Sequence, residues 1–489
     1  MQAFTVVILV AGAMLAALLV TVGMASAVHL TSTRRQGYFH LIFYAMLLMV
    51  ALTQLFSERN FAVISITADD AADIVRHPIL VWVQRLVSLL VLTVAGERII
   101  TRLLQRTRTV GPPPVLMVIF IVFWTGTVAA PALFGARPQM SHDYAYSLVI
   151  GIAAILATPR EQALALATAR NALIFFMVAS LLLIPFVPSL VLDSSYTQGL
   201  LPGVPRLAGL AAHPVSLGIL AQTGLLCVLA YPLERVWLNR LAWVVGLSVL
   251  FLAQSKTAWI SFAICATCIV AVRHGPGFWR RFSDPVRPEF GIISIFGLMA
   301  GILVLASILM FADLGVRLDQ FFDSSQGAQL ASLTGRDQIW AIAWAEWGLN
   351  PVFGYGPTLW DADYRAAIRM PNATHAHSQF MDTLSRSGTV GATALALYGL
   401  VLLWLSIRYA RATDGLSLAL FAALALRSIS EVPLLLFGYG AELITHVLLL
   451  MTLAAARQSQ TLKPRFATAE PQTVFRSHGP SLMRAKARK

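Results

Sequence analysis

Charge is scarce in this chain. Of 489 residues, 12% are charged and 57% are hydrophobic, and the mean hydropathy is +0.73. A water-soluble protein of this length could not hide so much apolar surface, which excludes a soluble globular enzyme. Cysteine is nearly absent. Cys227, Cys265 and Cys268 all sit inside apolar runs, which argues against a disulfide framework or a cysteine metal site. Lys and Arg are missing altogether from residues 1–33. A secretory leader needs a basic start. Although Ala25-Ser-Ala27 resembles a cleavage site, the long apolar run therefore reads as a retained first span. Polar stretches are few as well, and the longest runs from Asp313 to Ser387.

What is there instead is a series of apolar runs of about 20 residues, the length that crosses a bilayer as a helix. They lie near 4–29, 38–56, 78–97, 115–135, 144–158, 171–190, 209–231, 241–254, 257–272, 290–312, 388–407, 415–430 and 434–455. Backbone inside lipid must satisfy its own hydrogen bonds. The expected fold is an all-α integral membrane protein of 12–13 transmembrane helices with a large helical periplasmic loop. The domain reading is a transmembrane bundle over 1–312, a cap loop over 313–387, further transmembrane helices over 388–456 and a basic, disordered tail over 457–489.

The formal charge is +13, from 36 Lys+Arg against 23 Asp+Glu. The cations collect in alternate loops, among them Arg98, Arg102, Arg160, Arg170, Arg273, Arg280 and Arg408. That pattern is the positive-inside rule, not a nucleic-acid surface. Those loops and the tail are expected in the cytoplasm, and the 313–387 loop on the outer side.

Within the loop, Thr334-Gly-Arg-Asp337 fits a capping box. Trp340, Ala343, Trp344 and Trp347 then fall at helical spacing, and Asn350-Pro351 ends that helix. A second helix is expected near His377, with His377, Phe380, Met381 and Leu384 on one face. The loop therefore reads as a folded cap.

Outer-side cations are rare enough to single out. Arg206, Lys256 and Arg336 are candidates for an anion site, since guanidinium forks match phosphate oxygens and a helix N-terminus at Arg336 adds partial positive charge. The bland alternative is snorkelling or pairing with an Asp. His375 and His377 offer a neutral imidazole as general base, with Asp382 as an orienting partner. Ordinary loop histidines are the competing reading. No Cys or carboxylate is placed in the sequence to complete a metal set with them, so no metal and no cofactor is expected. His213 either assists the anion site or caps a helix. Arg85, inside the third span, is a functional candidate by position, with structural pairing as the alternative. Arg427 and Glu431 are expected to neutralise each other at i,i+4; Glu442 and His446 share that spacing and read as mainly structural.

Four stretches together resemble the O-antigen ligase and O-antigen polymerase family, including exopolysaccharide polymerases. They are Arg206-Leu-Ala-Gly-Leu-Ala-Ala-His-Pro-Val-Ser-Leu-Gly218; Gln254-Ser-Lys-Thr257; Thr334-Gly-Arg-Asp-Gln-Ile-Trp340 with Asn350-Pro-Val-Phe-Gly-Tyr-Gly356; and His375-Ala-His-Ser-Gln-Phe-Met-Asp382 with Gly388-Thr-Val-Gly391. The resemblance covers roughly residues 170–455. Ser378 departs from the family's usual Asn after the histidine.

The resemblance implies a metal-independent glycosyltransferase of the bacterial inner membrane, with its site on the periplasmic side. The donor is then a glycan on undecaprenyl diphosphate. The acceptor is a sugar hydroxyl on a lipid-linked repeat unit or on lipid A-core. It further implies that Arg206 and Arg336 hold the diphosphate and that His377 activates the acceptor, with Lys256 kept as a third candidate cation from its position. Membrane lipids and a polysaccharide chain-length regulator are the other expected partners; nucleic acid is not. A repeat-unit polymerase is the leading expectation and a ligase to lipid A-core the second. A lipid-glycan flippase is the reading from another class, and it would string ionisable residues along a central path.

Overall fold

The computed structural model describes residues 2–33, 35–57, 59–61, 78–105, 111–194, 201, 203–311, 336–371 and 373–462. The capping-box residues Thr334 and Gly335, the loop from 313 to 335 and the tail from 463 onward lie outside them. The chain is an all-α integral membrane protein. In chain order its elements are α1 Gln2–Thr33, α2 Ile42–Leu55, α3 Pro78–Leu104, α4 Pro114–Trp124, α5 Ala130–Phe134, α6 Tyr144–Ile155, α7 Pro159–Leu182, α8 Pro188–Val191, β1 Leu192–Asp193 and β2 Arg206–Leu207. There follow α9 Pro214–Ala230, α10 Val236–Leu252, α11 Lys256–Phe282, α12 Glu289–Phe311, α13 Arg336–Leu349, α14 Ala362–Ala367, α15 Gln379–Arg408, α16 Leu416–Arg427 and α17 Leu443–Leu462.

Among the described residues, six helices are long and apolar enough to cross a membrane: Val10–Thr33, Leu80–Leu104, Pro114–Phe134, Pro159–Leu182, Lys256–Phe282 and Gln379–Arg408. The remaining expected spans coincide with shorter apolar helices. Two boundaries differ from expectation for local reasons. The 209–231 run becomes helical only at Pro214, because Gly209 has φ +56°. The 434–455 run becomes helical only at Leu443, after Pro433, Gly438 and Gly440 have broken the chain.

The two ends of the bundle are finished differently. At one end, arginines satisfy carbonyls that helix termini leave free. Arg98 pairs with Glu161 at 2.7 Å, both nearly fully buried, and also donates to Leu156 O. Arg170 donates to Tyr231 O and Pro232 O, Arg273 to Leu229 O and Ala230 O, and Arg457 to Pro112 O. Glu161 also closes a capping box with Thr158, which explains why α7 starts there behind Pro159.

The other end carries the cap. Asn350–Gly356 is plugged into a break in α15. At Gly388 the backbone leaves the helix (φ 61°, ψ −160°). A Cβ there would lie 2.3 Å from Val352 O, so only glycine fits. Carbonyls freed by the break are taken up by the inserted segment: Tyr355 N–H donates to Ser385 O (2.8 Å) and Gly356 N–H to Arg386 O (2.9 Å). In return Thr389 N–H donates to Pro351 O (2.8 Å). The cap also has a small core of its own, with Ile339, Ala343, Leu359, Trp360, Ala373 and Ala376 buried together. Of the expected aromatic face of α13, Ala343 is buried but Trp344 is 55% exposed; Ile339 takes the inward place.

Mid-bundle, His446 Nε2 and Tyr398 Oη are 2.5 Å apart, and Tyr398 stacks on Phe123 at 4.4 Å. Glu442 does not contribute to this pair, despite its i,i+4 spacing to His446. Glu442 turns outward and meets Arg427 at 2.8 Å.

Candidate active site

The first wall is the loop that carries Arg206. The chain makes a short antiparallel pair, Leu192 opposite Leu207 and Asp193 opposite Arg206. Ala208 N–H and Gly209 N–H both donate to Val191 O, and Leu210 N–H donates to Ser180 Oγ at 3.1 Å. Gln254 braces the loop from behind. Its Oε1 accepts from Leu201 N–H (3.2 Å) and its Nε2 donates to Val204 O (2.9 Å), while Arg206 Nε donates to Ala253 O (3.4 Å). Gln254 holds φ 49°, a left-handed conformation costing a non-glycine residue about 1–3 kcal/mol. The Gln254-Ser-Lys-Thr257 motif is thus a brace for Arg206, and Ser255 caps α11 by accepting from Ala258 N–H.

Sequence reading missed Arg59. Its guanidinium donates to Leu190 O, Gly209 O, Ala211 O and Ala212 O at 2.7–3.1 Å. Burial pulls its pKa down to about 10, against the charge of Asp193. Nothing in the flanking Glu58-Arg59-Asn60 signals that role, because its partners are carbonyls some 130 to 150 residues away. His213 is the N-cap of α9, its Nδ1 accepting from Val215 N–H at 3.3 Å. Burial lowers its pKa, and Arg206 lowers it further, against Asp193 and Glu431.

The second wall is the loop before α15. Asp382 does not orient His377, as the spacing suggested. Its Oδ1 accepts from Ala376 N–H (3.1 Å) and its Oδ2 from Arg386 Nε (2.9 Å), and Arg386 reaches on to Pro357 O. Asp382 therefore fixes the backbone that carries the histidines. Trp340 Nε1 donates to Ala376 O (2.8 Å), tying α13 to the same loop. Helix α15 starts at Gln379, so His377 stands before it and not on its face. His377 has φ 48°.

Gln379 brings in the third wall. Its N–H donates to Ser428 O (2.9 Å) and its Oε1 accepts from Leu434 N–H (2.8 Å). The segment between those two anchors carries Glu431. The expected Arg427–Glu431 side-chain pair does not form: Glu431 N–H still donates to Arg427 O (2.8 Å), but the Arg427 guanidinium turns to Glu442 at 2.8 Å. Glu431 Oε2 instead lies 3.2 Å from His375 Nε2 and 4.0 Å from His377 Nδ1. A lone carboxylate two residues before a proline was the available signal.

His377 is the electrostatic centre. Burial, first, and then the His375 ring, Arg336 and His213 lower its pKa to about 4, with Glu431 opposing them. Its imidazole is therefore neutral near pH 7. For Glu431, burial raises the carboxyl. The hydrogen bond from His375 and the charges of His375, His377 and Arg427 outweigh that and hold it below the usual value. Arg336 and His213 are thus electrically close to His377, and Arg206 to His213. Among the described residues, Arg336 makes no hydrogen bond or ion pair. Lys256 opens α11 with an exposed side chain and no bond to the histidines. Arg85 is exposed on α3, its guanidinium over the Trp82 ring at 5.1 Å, and stands apart from the cluster.

His375, His377 and Glu431 offer ligand atoms within 4.8 Å of one another. The sequence put no carboxylate beside the histidines; the fold does. However, His375 Nδ1 accepts from His377 N–H at 3.1 Å. That puts the His375 proton on Nε2, the atom that would have to ligate. As arranged, the three groups form a hydrogen-bond chain. Beside them opens an apolar cavity of about 750 Å³ between α15 and α16, lined by Trp340, Gln379, Phe380, Leu403, Phe421 and Leu424.

Residues 241–396 match the family model described as O-antigen ligase. Over this stretch the chain is similar to the O-antigen ligase family. The matched stretch includes Lys256, Arg336, His375, His377 and Asp382, while Arg206, His213 and Glu431 flank it. No curated protein matches the chain. Among solved structures, a chain described under "Structural coordination of polymerization and crosslinking by a peptidoglycan synthase complex" aligns with 73% of this chain and 98% of its own length, at 16% identity and a TM-score of 0.38.

Proposed function

We propose that this membrane glycan transferase moves a glycan from undecaprenyl diphosphate to an acceptor sugar hydroxyl, polymerising lipid-linked repeat units at the periplasmic face of the inner membrane. The observation that carries the reading is a neutral His377 that feels the charge of Arg336 and directly precedes Ser378 and Gln379 in the wall of an apolar cavity. The cavity suits a polyprenyl tail. Arg336 and Arg206 would hold the diphosphate, with Lys256 as a third cation beside the brace of the Arg206 loop. Diphosphate is a good leaving group once its charge is stabilised, and fixed cations supply that without a general acid. His377 would take the acceptor proton.

The periplasmic placement rests on the arginine-rich loops, which the positive-inside rule assigns to the cytoplasm. The polymerase reading rests on the long cap and the Ser255-Lys-Thr257 triplet, which resemble exopolysaccharide polymerases. A second reading, a ligase to lipid A-core, is favoured by the description of the matched family. Deletion followed by gel analysis of envelope glycans separates the two. Lipid A-core bearing one repeat unit is the polymerase outcome. Unmodified core with accumulated lipid-linked polymer is the ligase outcome. Unchanged glycans would sink both.

A further inference from the structure

We infer that Glu431 is the positioning carboxylate of the transfer reaction, turning the His377 ring and receiving its charge when that ring takes a proton. The inference rests on the reading of His377 as the base.

It starts from one carboxylate oxygen shared between two rings. Glu431 Oε2 accepts from His375 Nε2 at 3.2 Å and stands 4.0 Å from His377 Nδ1. That Nδ1 is buried and has no hydrogen-bond partner. A buried nitrogen left unbonded is costly unless something answers it during the working cycle. Glu431 Oε2, at 4.0 Å, lies about 0.8 Å beyond hydrogen-bond range. With the Nδ1 proton directed at Glu431, the Nε2 lone pair is the one left for substrate. His375 keeps the carboxylate in place. Its own Nδ1 is held by His377 N–H, and its ring meets the His377 ring edge-on at 4.3 Å. Gln379 fixes the segment on both sides of Glu431 through Ser428 and Leu434.

In the transfer step, the acceptor O–H proton goes to His377 Nε2 as the acceptor oxygen forms its bond to the anomeric carbon. The bond from that carbon to the donor's phosphate oxygen breaks, and its electron pair leaves on the diphosphate. The ring becomes an imidazolium, and Nδ1–H closes on Glu431 Oε2. The proton then passes to the departing diphosphate or to water, which restores neutral His377. The charged and titratable groups facing His377 are His375 on its own loop, Arg336 on α13, His213 before α9 and Glu431 after α16. Glu431 is the one anion among them.

The test is a pH profile of kcat/KM for the full chain in lipid, with Glu431→Gln and Glu431→Asp beside His377→Ala. Glu431→Gln should cut kcat about 10²-fold, the low end of what a general base contributes. KM for the lipid donor should stay unchanged and the acidic limb should move to lower pH, because the group that raises the basicity of His377 is gone. Glu431→Asp should keep the limb and recover part of the rate. Added formate should restore part of the activity of Glu431→Ala, which a packing role would not allow. A Glu431→Gln enzyme with full activity, or with reduced activity and an unmoved limb, overturns the inference while leaving His377 as base. An active His377→Ala enzyme overturns the base reading itself.

Discussion

The two ends of the helix bundle use the same residue type for opposite ends. At the Arg98 end, the guanidiniums of Arg98, Arg170, Arg273 and Arg457 lie against helix-terminal carbonyls or a buried glutamate. Their charge is consumed locally and finishes the fold. At the His377 end, Arg59 does the same work, but Arg336 has no bond among the described residues and His377 Nδ1 is buried without a partner. Buried polar atoms without a partner occur at both ends, Arg98 Nε and His40 Nδ1 at the first and His377 Nδ1 at the second, so what marks the second end as a site is the gathering of two imidazoles, a carboxylate and a cation there.

The sharpest way to break this contrast is to remove the cations of the site. Arg336→Ala combined with Arg206→Ala is expected to take glycan transfer below detection while membrane insertion stays intact, measured by polymer on gels and by yield from membranes. Each single change should cost at least about 10²-fold, the scale of losing one preorganised donor. Near-normal polymer from both single variants would return these arginines to the structural class. Next in size, His377→Ala is expected to lower kcat by about 10²–10⁴-fold, far more than His375→Ala. The reverse order would move the base to His375.

At the opposite end the readout should change in kind. Arg170→Met leaves Tyr231 O and Pro232 O without their donor and should destabilise the protein by about 1.5–3 kcal/mol. Turnover per folded molecule should be unaffected. A thermal melt in detergent with a parallel turnover assay checks this, and a loss of kcat at full stability would erase the distinction between the ends. A smaller effect concerns pH. His377, at about 4, is neutral above that value and gains a proton below it, so activity should hold from pH 7 down to about pH 5 and fall as pH drops through about 4. A limb near 6.5 would mean that the working ring is solvated like a free histidine. The smallest expected effect is none: EDTA should leave transfer unchanged, because the His375 proton sits where a metal would bind. Loss of activity restored by a divalent ion would defeat that.

Much of this was legible in the sequence, and the failures share one cause. Apolar run length gave the membrane class, and the rarity of outer cations pointed to Arg206 and Arg336. His213 and Asp382 stand out in the sequence, and Gln254 only as part of the motif around Lys256; in the structure all three hold backbone, which depends on backbone groups no spacing rule can see. Glu431 was assigned to Arg427 by counting four residues along a helix that stops at Arg427. The partner it has, His375, is 56 positions away, and only the Gln379 anchors bring the two together.

The plug of Asn350–Gly356 into the gap at Gly388 has a bearing on how reactants arrive. Raising the cap off the bundle would strip the Ser385 and Arg386 carbonyls of their N–H donors and part Pro351 O and Val352 O from Thr389 and Val390, four bonds broken at once. Parting α15 from α16 at the rim of the cavity leaves those four in place and strains instead the Gln379 bonds to Ser428 O and Leu434 N–H and the Ser417–Ser406 bond. A bulky, tail-anchored reactant would therefore come in sideways, sliding within the plane of the bilayer through a lateral doorway, with the cap acting as a fixed roof.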